Sequence, residues 1–387
     1  MPPTEAVATI AERRLAFGRR LDLAGVDAAI IATEPSFAYL TGYATPSWAM
    51  RSRPIAFVAF RDGGGTAVLS AAEVPSVAAS ALGIAAEGYA DPAPDGNGGP
   101  PDFGRALADR LVAVLGPRRP TRIAVELGSA FPPGLAPATL DVVRVGLGVE
   151  LVDCGPLLWP LRLTKTDAEI GLMRAAADAL AGVYASFAAE ARTGMAEREL
   201  HELLEHAAVR HVGAQLRYAT VVAGAQRPLL GPPGARAWQP EDVLLVDVGI
   251  VRDGYWTDFS RHFAASEQPA AVRAAYARIV TALRAGRDAC RPGARAGDVA
   301  AAMGGELPPA HDAFGRLGHG VGLELTEPPS LHAADRTELR PGMTLCLEPI
   351  AWFDGVGHLV GEEVVVVTES GCELLSPPFP VEMELIG

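Results

Sequence analysis

Four carboxylates and one histidine fall where they could share a ligand. Asp247 lies inside an apolar run, Leu244 to Ile250. A charged group in such a run is costly unless it is paired or holds a cation. Asp258 follows eleven residues later. His319 stands between glycines, where backbone can approach a ligand closely. Glu348 closes the run from Thr344, and Glu362 opens a valine-rich one. Taken singly, each Glu reads as a solvated strand end, the histidine as structural, and Asp253 as an ordinary turn residue. Taken together they make a hard, oxygen-rich donor set. Such a set suits Mn, Co or Fe better than the sulfur-rich closed sites of structural zinc. Four converging carboxylates would repel one another, and a pair of divalent ions is the natural neutraliser.

The elements that must position these groups are strands. Val243–Ile250 and Gly254–Phe263 read as two antiparallel strands turned back at Gly254-Tyr255, which can bring Asp247 and Asp258 to one point. The glycine-rich run around His319 does not sit at a strand-to-helix turn of a βαβ unit, so a dinucleotide loop is not expected. The stretch from Thr344 to the end is strand-rich, with Glu363–Thr368 its clearest run. Helices are expected from about Asp167, behind a Thr166/Glu169 capping box, and over Ala196–Val212 and Ala270–Arg291. Earlier in the chain, Ala28–Thr33, Pro54–Phe60, Gly65–Leu69, Arg122–Glu126 and Val149–Val152 read as strands of an α/β segment, the second and third as a hairpin. Pro156 and Pro160 bracket a short connection. The expected division is residues 1–157 and 158–387, and the length of 387 residues suits two domains.

Composition excludes several classes. Hydrophobic residues at 49% can fill a core, so the chain is not a disordered one. A formal charge of −13 argues against a nucleic-acid partner. Cys154, Cys290, Cys346 and Cys372 are far apart in sequence, which points to buried thiols in a reducing compartment rather than a disulfide scaffold. The N-terminal stretch carries Arg13, Arg14, Arg19 and Arg20 on an amphipathic helix and lacks a signal-peptide core. No apolar run is long enough to span a bilayer, so a soluble cytoplasmic protein without membrane partners is expected.

The ordered set of Asp247, Asp258 in Gly-Tyr-x-x-Asp, Gly-His-Gly-x-Gly-Leu at His319, Leu-Glu-Pro at Glu348, and Gly-Glu-Glu at Glu362 resembles the pita-bread metallopeptidases. That family includes aminopeptidase P, Xaa-Pro dipeptidase (prolidase), methionine aminopeptidase and creatinase. The resemblance runs from about Leu163 to Ile386 and includes Arg162-x-x-Lys165, Glu169-Ile170 and Met173-Arg174. Tyr39-Leu40-Thr41-Gly42-Tyr43 resembles a motif of the two-domain branch, which methionine aminopeptidases lack. The resemblance implies an α/β (α+β) protein: an N-terminal creatinase-like α/β domain, then a pita-bread catalytic domain with a curved antiparallel sheet. It implies two divalent ions, Mn or Co ahead of Zn or Fe, and a homodimer. Asp247 would bind one ion, Asp258 and Glu362 would bridge both, and His319 and Glu348 would complete the second site. A bridging water would become the attacking hydroxide, with Glu348 relaying its proton and His319 serving the same centre.

Three substrate-facing positions depart from the family pattern. Gly231 and Thr326 stand where histidines are usual, and Val360 where an arginine is usual. His358 and His332 are candidate replacements, His311 could line the site, and His262 reads as structural. Trp48, Arg51 and Arg53 could reach a pocket or pack at a domain face. The leading expectation is an Xaa-Pro exopeptidase, of the aminopeptidase P or prolidase kind, acting on short peptides. The other reading is a non-peptidase metallohydrolase or lyase that cleaves a small metabolite on the same scaffold. Creatinase itself and dead binding relatives have lost ligand residues, which this chain keeps.

Overall fold

The computed structural model describes residues 4–50, 52–80, 82–94, 100–128, 133–225, 228–309 and 315–387. The chain divides into two compact units, Met1–Arg162 and Leu163–Gly387.

The first unit opens with α1 (Thr4–Leu23), β1 (Ala28–Ile31) and α2 (Glu34–Thr41). It continues through β2 (Ala56–Phe60), β3 (Gly65–Ser70), α3 (Val74–Ala79), β4 (Ala85–Tyr89) and α4 (Phe103–Leu115). It ends with β5 (Arg122–Val125), α5 (Pro137–Leu147), β6 (Glu150–Asp153) and α6 (Gly155–Arg162). Its sheet runs β4-β3-β2-β1-β5-β6 and is mixed, with the β2–β3 hairpin antiparallel and β1, β5 and β6 parallel. All four residues of β1 are buried, as a continuous apolar run requires. Where a bare connection was expected, the structure has the helix α6. Pro156 sits near its start, where a missing N–H costs nothing, and Pro160 is carried inside it.

The second unit begins with α7 (Asp167–Glu190), α8 (Glu197–His211), β7 (Tyr218–Ala223), β8 (Val243–Arg252) and β9 (Tyr255–Ala264). Next come α9 (Ala270–Ala289), α10 (Ala296–Gly304), β10 (Gly318–Gly320), β11 (Glu327–Ser330) and β12 (Thr344–Leu347). The chain ends with β13 (Ile350–Phe353), β14 (Gly357–Val360), β15 (Glu363–Val367), β16 (Cys372–Leu374) and β17 (Glu384–Leu385). The Thr166/Glu169 capping box is formed at the start of α7. One sheet runs β17-β9-β8-β7 and the other β11-β10-β12-β15-β16, with β13 and β14 as a separate hairpin. Helices α7 and α8 cover the first sheet through Leu180, Phe187 and Leu204 against Val246 and Phe263. Helices α9 and α10 cover the second through Ile279, Leu283 and Met303 against Leu345 and Leu347. The expected α/β first domain and antiparallel second domain are both present. Among the described residues, no helix is long and apolar enough to cross a membrane.

Candidate metal centre

Strand alternation sorts the side chains of the second unit into helix-facing and inward-facing sets. On β8, Leu244, Val246, Val248 and Ile250 join the core under α7 and α8, so Asp247 turns the other way. Asp247 pairs with Ser260 and Gly249 with Asp258, so the two aspartates are diagonal neighbours on one face of the hairpin. On β12, Leu345 and Leu347 face the α9–α10 core, while Cys346 and the following Glu348 take the opposite face. Leu347 pairs with Glu363 and Ile350 with Val360 in one continuous register. Glu348 and Glu362 therefore oppose each other in the gap between those two ladder segments. His319 pairs with Cys346. The glycines on either side of it are required by space. A Cβ on Gly318 would lie 2.1 Å from the Cys346 carbonyl oxygen, and one on Gly320 would lie 2.2 Å from that of Pro328.

Asp258, His319, Cys346 and Glu362 each present a donor atom within 4.8 Å of the others, all buried. Glu348 joins them with Oε2 3.9 Å from His319 Nε2. The Tyr218 hydroxyl donates to Asp247 Oδ2 at 3.4 Å, and Thr220 donates to Tyr218 at 3.3 Å. The Nδ1–H of His319 donates to the Gly320 carbonyl at 2.9 Å, which leaves the Nε2 lone pair aimed at the cluster.

The electrostatics show what the cluster lacks. Burial pushes Asp247 up to about 6. Burial, with the charge of Asp247 added, pushes Glu348 up to about 7. Asp258 and Glu362 are driven well above the carboxylate range by burial and by their acidic neighbours. Burial lowers His319 to about 4, so its imidazole is neutral. The Cys346 thiol is pushed well up by burial and the surrounding acids. Asp247 Oδ1, Asp258 Oδ1 and both Glu362 carboxylate oxygens are buried with no hydrogen-bond partner. Buried polar atoms are normally satisfied, so orphaned carboxylate oxygens aimed at one point fit a cation. The donor set of oxygens plus one imidazole fits divalent metal ions.

Residues 171–369 match the family model described as "Metallopeptidase family M24". This chain belongs to metallopeptidase family M24. Residues 13–164 of the M24 chain match "Creatinase/Prolidase N-terminal domain". Membership makes it a metal-dependent hydrolase with a two-domain creatinase-like plan. It is 30% identical over 226 residues to an Xaa-Pro dipeptidase of Lactobacillus delbrueckii subsp. lactis, covering 57% of this chain and 61% of that protein. The dipeptidase PepE of Mycobacterium ulcerans has a similar structure, with a TM-score of 0.79 at 28% identity over 98% of both chains. An Xaa-Pro dipeptidase of Bacillus anthracis shares the fold, with a TM-score of 0.81 at 20% identity, covering 97% of this chain and all of that one.

The remaining expected site residues of this M24 chain are more scattered. Thr326 is exposed and accepts from Arg316 Nη2 at 3.3 Å. Gly231 is exposed, with open space around its Cα. Val360 is buried in a small apolar cluster with Val222 and Leu245, where an arginine head group would be stranded. His358 lies on β14 with its ring edge-on to Trp352 at 4.8 Å. His332 is exposed, and its Nδ1 accepts from the Ala334 N–H. His262 is walled in by Tyr276 and Phe379, and burial lowers it to about 3. Trp48 belongs to the first unit, where it packs edge-on against Phe37 at 5.5 Å. Arg53 pairs with Asp91 in the same unit. Arg51 and His311 lie outside the described residues.

Other residues near the centre are not among those the sequence singles out. Cys346 could have been found from its spacing, two residues before Glu348 on one strand. Tyr218 reaches Asp247 across strands, which spacing along the chain does not reveal. A buried ion pair, Lys165 Nζ to Glu327 Oε2 at 3.0 Å, ties the start of the unit to the loop after His319. The other Glu327 oxygen accepts the N–H groups of Leu323 and Glu324, so this carboxylate holds that loop in shape.

Proposed function

We propose that the chain is a dinuclear peptidase of the prolidase or aminopeptidase P kind, hydrolysing the bond before proline in short peptides. The observation that carries this reading is the convergence of donor atoms of Asp258, His319 and Glu362 within 4.8 Å, with orphaned oxygens on Asp247, Asp258 and Glu362 and with Glu348 beside His319. Asp247, Asp258, His319, Glu348 and Glu362 would hold two divalent ions, Mn or Co foremost. Bound there, the ions would acidify a water molecule and polarise the scissile carbonyl.

The chain's own groups divide the remaining work. Asp258 and Glu362 are nearly sealed from solvent, so as ligands they would be shielded from competing water. The Glu348 side chain is 24% exposed, more open to solvent than Asp258 and Glu362. It would take a proton from water and return it to the leaving nitrogen. The bond to Gly320 keeps the His319 Nε2 unprotonated, as a ligand must be. Tyr218 steadies Asp247 from behind.

The second reading is a metallohydrolase or lyase acting on a small metabolite. It is favoured by the exposed Gly231, the exposed Thr326 and the buried Val360, which provide no imidazole or guanidinium at those places. A panel of Xaa-Pro dipeptides and tripeptides, offered to purified protein with Mn or Co, separates the two. Cleavage before proline that stops on chelation is the expected result. Bound metal without cleavage of any member would move the assignment to the second reading.

A further inference from the structure

Cys290 and Cys372 meet in the second unit although they are distant in sequence. Cys290 caps α9 and is fully buried, while Cys372 lies half-buried on β16 and packs against the same core. Both converge on one atom. The carbonyl oxygen of Arg287 accepts the N–H of Cys290 at 3.1 Å and the thiol of Cys372 at 3.5 Å. The two thiols also hydrogen-bond each other, with Cys290 donating to Cys372. The partners are unequal, and this assigns their roles. The bond from Cys290, helped by the Arg287 guanidinium, lowers the Cys372 thiol below its ordinary value against the effect of burial. The same bond, together with burial, raises Cys290 well above its own. A thiolate is the reactive form of cysteine, and a reactive thiol beside a second, resolving one is the arrangement of a redox-sensing pair. Cys154 and Cys346 are buried with raised thiols, so they serve as internal controls.

We infer that Cys372 and Cys290 are a reversible oxidation site, in which peroxide closes a disulfide between the end of α9 and β16. The inference does not depend on the substrate of the metal centre. The Cys372 thiolate attacks the peroxide O–O bond and becomes a sulfenic acid, and the hydroxide released takes up the proton that the thiol gave, as water. The Cys290 sulfur then displaces the hydroxyl of the sulfenic acid, which leaves with the Cys290 proton as a second water. One peroxide is reduced to two waters, the two thiols lose two electrons, and one S–S bond forms. A thiol reductant reverses the change by exchange. The bond staples a junction that matters to the centre. Arg287, in the last turn of α9, pairs with the buried Glu363, which heads β15 and follows the proposed ligand Glu362. Strand β16, which carries Cys372, is the neighbour of β15. The simpler alternative is that both thiols only pack the core.

The test exposes folded, full-length protein to hydrogen peroxide, unfolds it in an alkylating reagent and reads the cysteines by peptide mass. The expected product is a peptide pair joining Cys290 to Cys372, lighter by two hydrogens and separated again by dithiothreitol. Cys154 and Cys346 should still be alkylated in the same sample. The urea midpoint should move to higher urea on oxidation and return on reduction, because the bond closes a long loop of the unfolded chain. Cys290→Ser should stop at the sulfenic acid of Cys372, captured by dimedone, and Cys372→Ser should leave Cys290 reduced over the same exposure. If either variant does not fold, the cross-link in the native protein decides alone. Cys290 and Cys372 still reduced when methionines have begun to oxidise would overturn the site. So would a disulfide between two chains, or oxidation of Cys154 or Cys346 first. A midpoint that stays put or falls in cross-linked protein would overturn the staple.

Discussion

The imidazole of His319 lies 3.9 Å from the Glu348 carboxylate, Nε2 to Oε2, while its other nitrogen donates to the Gly320 carbonyl 2.9 Å away. The first distance is too long for a hydrogen bond and suits two donors that share a third partner. The second fixes which nitrogen is free. Backbone geometry has therefore already set the tautomer that a metal needs.

Asp258 has the most to lose from substitution. Asp258→Asn keeps the size of the side chain but removes its charge and half of its ligand capacity. Metal content should fall by at least one ion per chain, and hydrolysis by about a hundredfold or more, since even outer partners of ligands are worth about ten- to a hundredfold in affinity. Elemental analysis and turnover on one substrate check both. The same variant without metal should be at least as stable as the parent, because a buried unpartnered acid has been neutralised.

The metal-free protein should weaken as pH rises. Burial raises Asp247 to about 6 and Glu348 to about 7 in the folded chain. Raised carboxyls bind more protons folded than unfolded, so their stabilising contribution is present in acid and is lost as pH passes upward through those values. Urea midpoints taken in chelator should fall between about pH 5 and about pH 8, and saturating Mn should reverse the trend. A midpoint that rises over that window in chelator would contradict the assignment of these acids as buried and unpaired.

Cys346 sits among the ligands, yet its thiol is held protonated by burial and by the acids around it. It should pack against the centre without binding metal. Cys346→Ala should keep the native metal stoichiometry and cost about 1–2 kcal/mol of stability for the lost packing. Loss of an ion in this variant would make the thiol a ligand.

The buried pair of Lys165 and Glu327 should matter more than a surface bridge. Lys165→Met leaves a carboxylate enclosed without its cation, and removing one member of such a pair costs about 3–5 kcal/mol. The double variant with Glu327→Met should recover part of that loss. Urea unfolding of the two single variants and the double variant measures the coupling directly.

The sequence made some of this legible and hid the rest for physical reasons. An aspartate inside an apolar strand, an eleven-residue return and glycines around a histidine are local patterns, and locality is what spacing encodes. The α/β and antiparallel halves followed from the same hydrophobic runs. Contacts across strands were hidden. Tyr218 reaches Asp247 from β7, and Arg316 meets Thr326 ten residues away. Cys290 and Cys372, distant in sequence, converge on the carbonyl of Arg287 through the N–H of one and the thiol of the other. The ring contacts of His358 with Trp352 and of Trp48 with Phe37 were equally hidden. Helix α6 is not legible because Pro156 and Pro160 interrupt the helical pattern, although the fold carries Pro160 inside it.

The most direct measurement is a metal titration of chelator-treated protein, followed by elemental stoichiometry and Xaa-Pro hydrolysis on the same samples. The account predicts two divalent ions per chain, with cleavage before proline returning as the sites fill. A single ion at saturation, or undiminished cleavage in chelator, would contradict it.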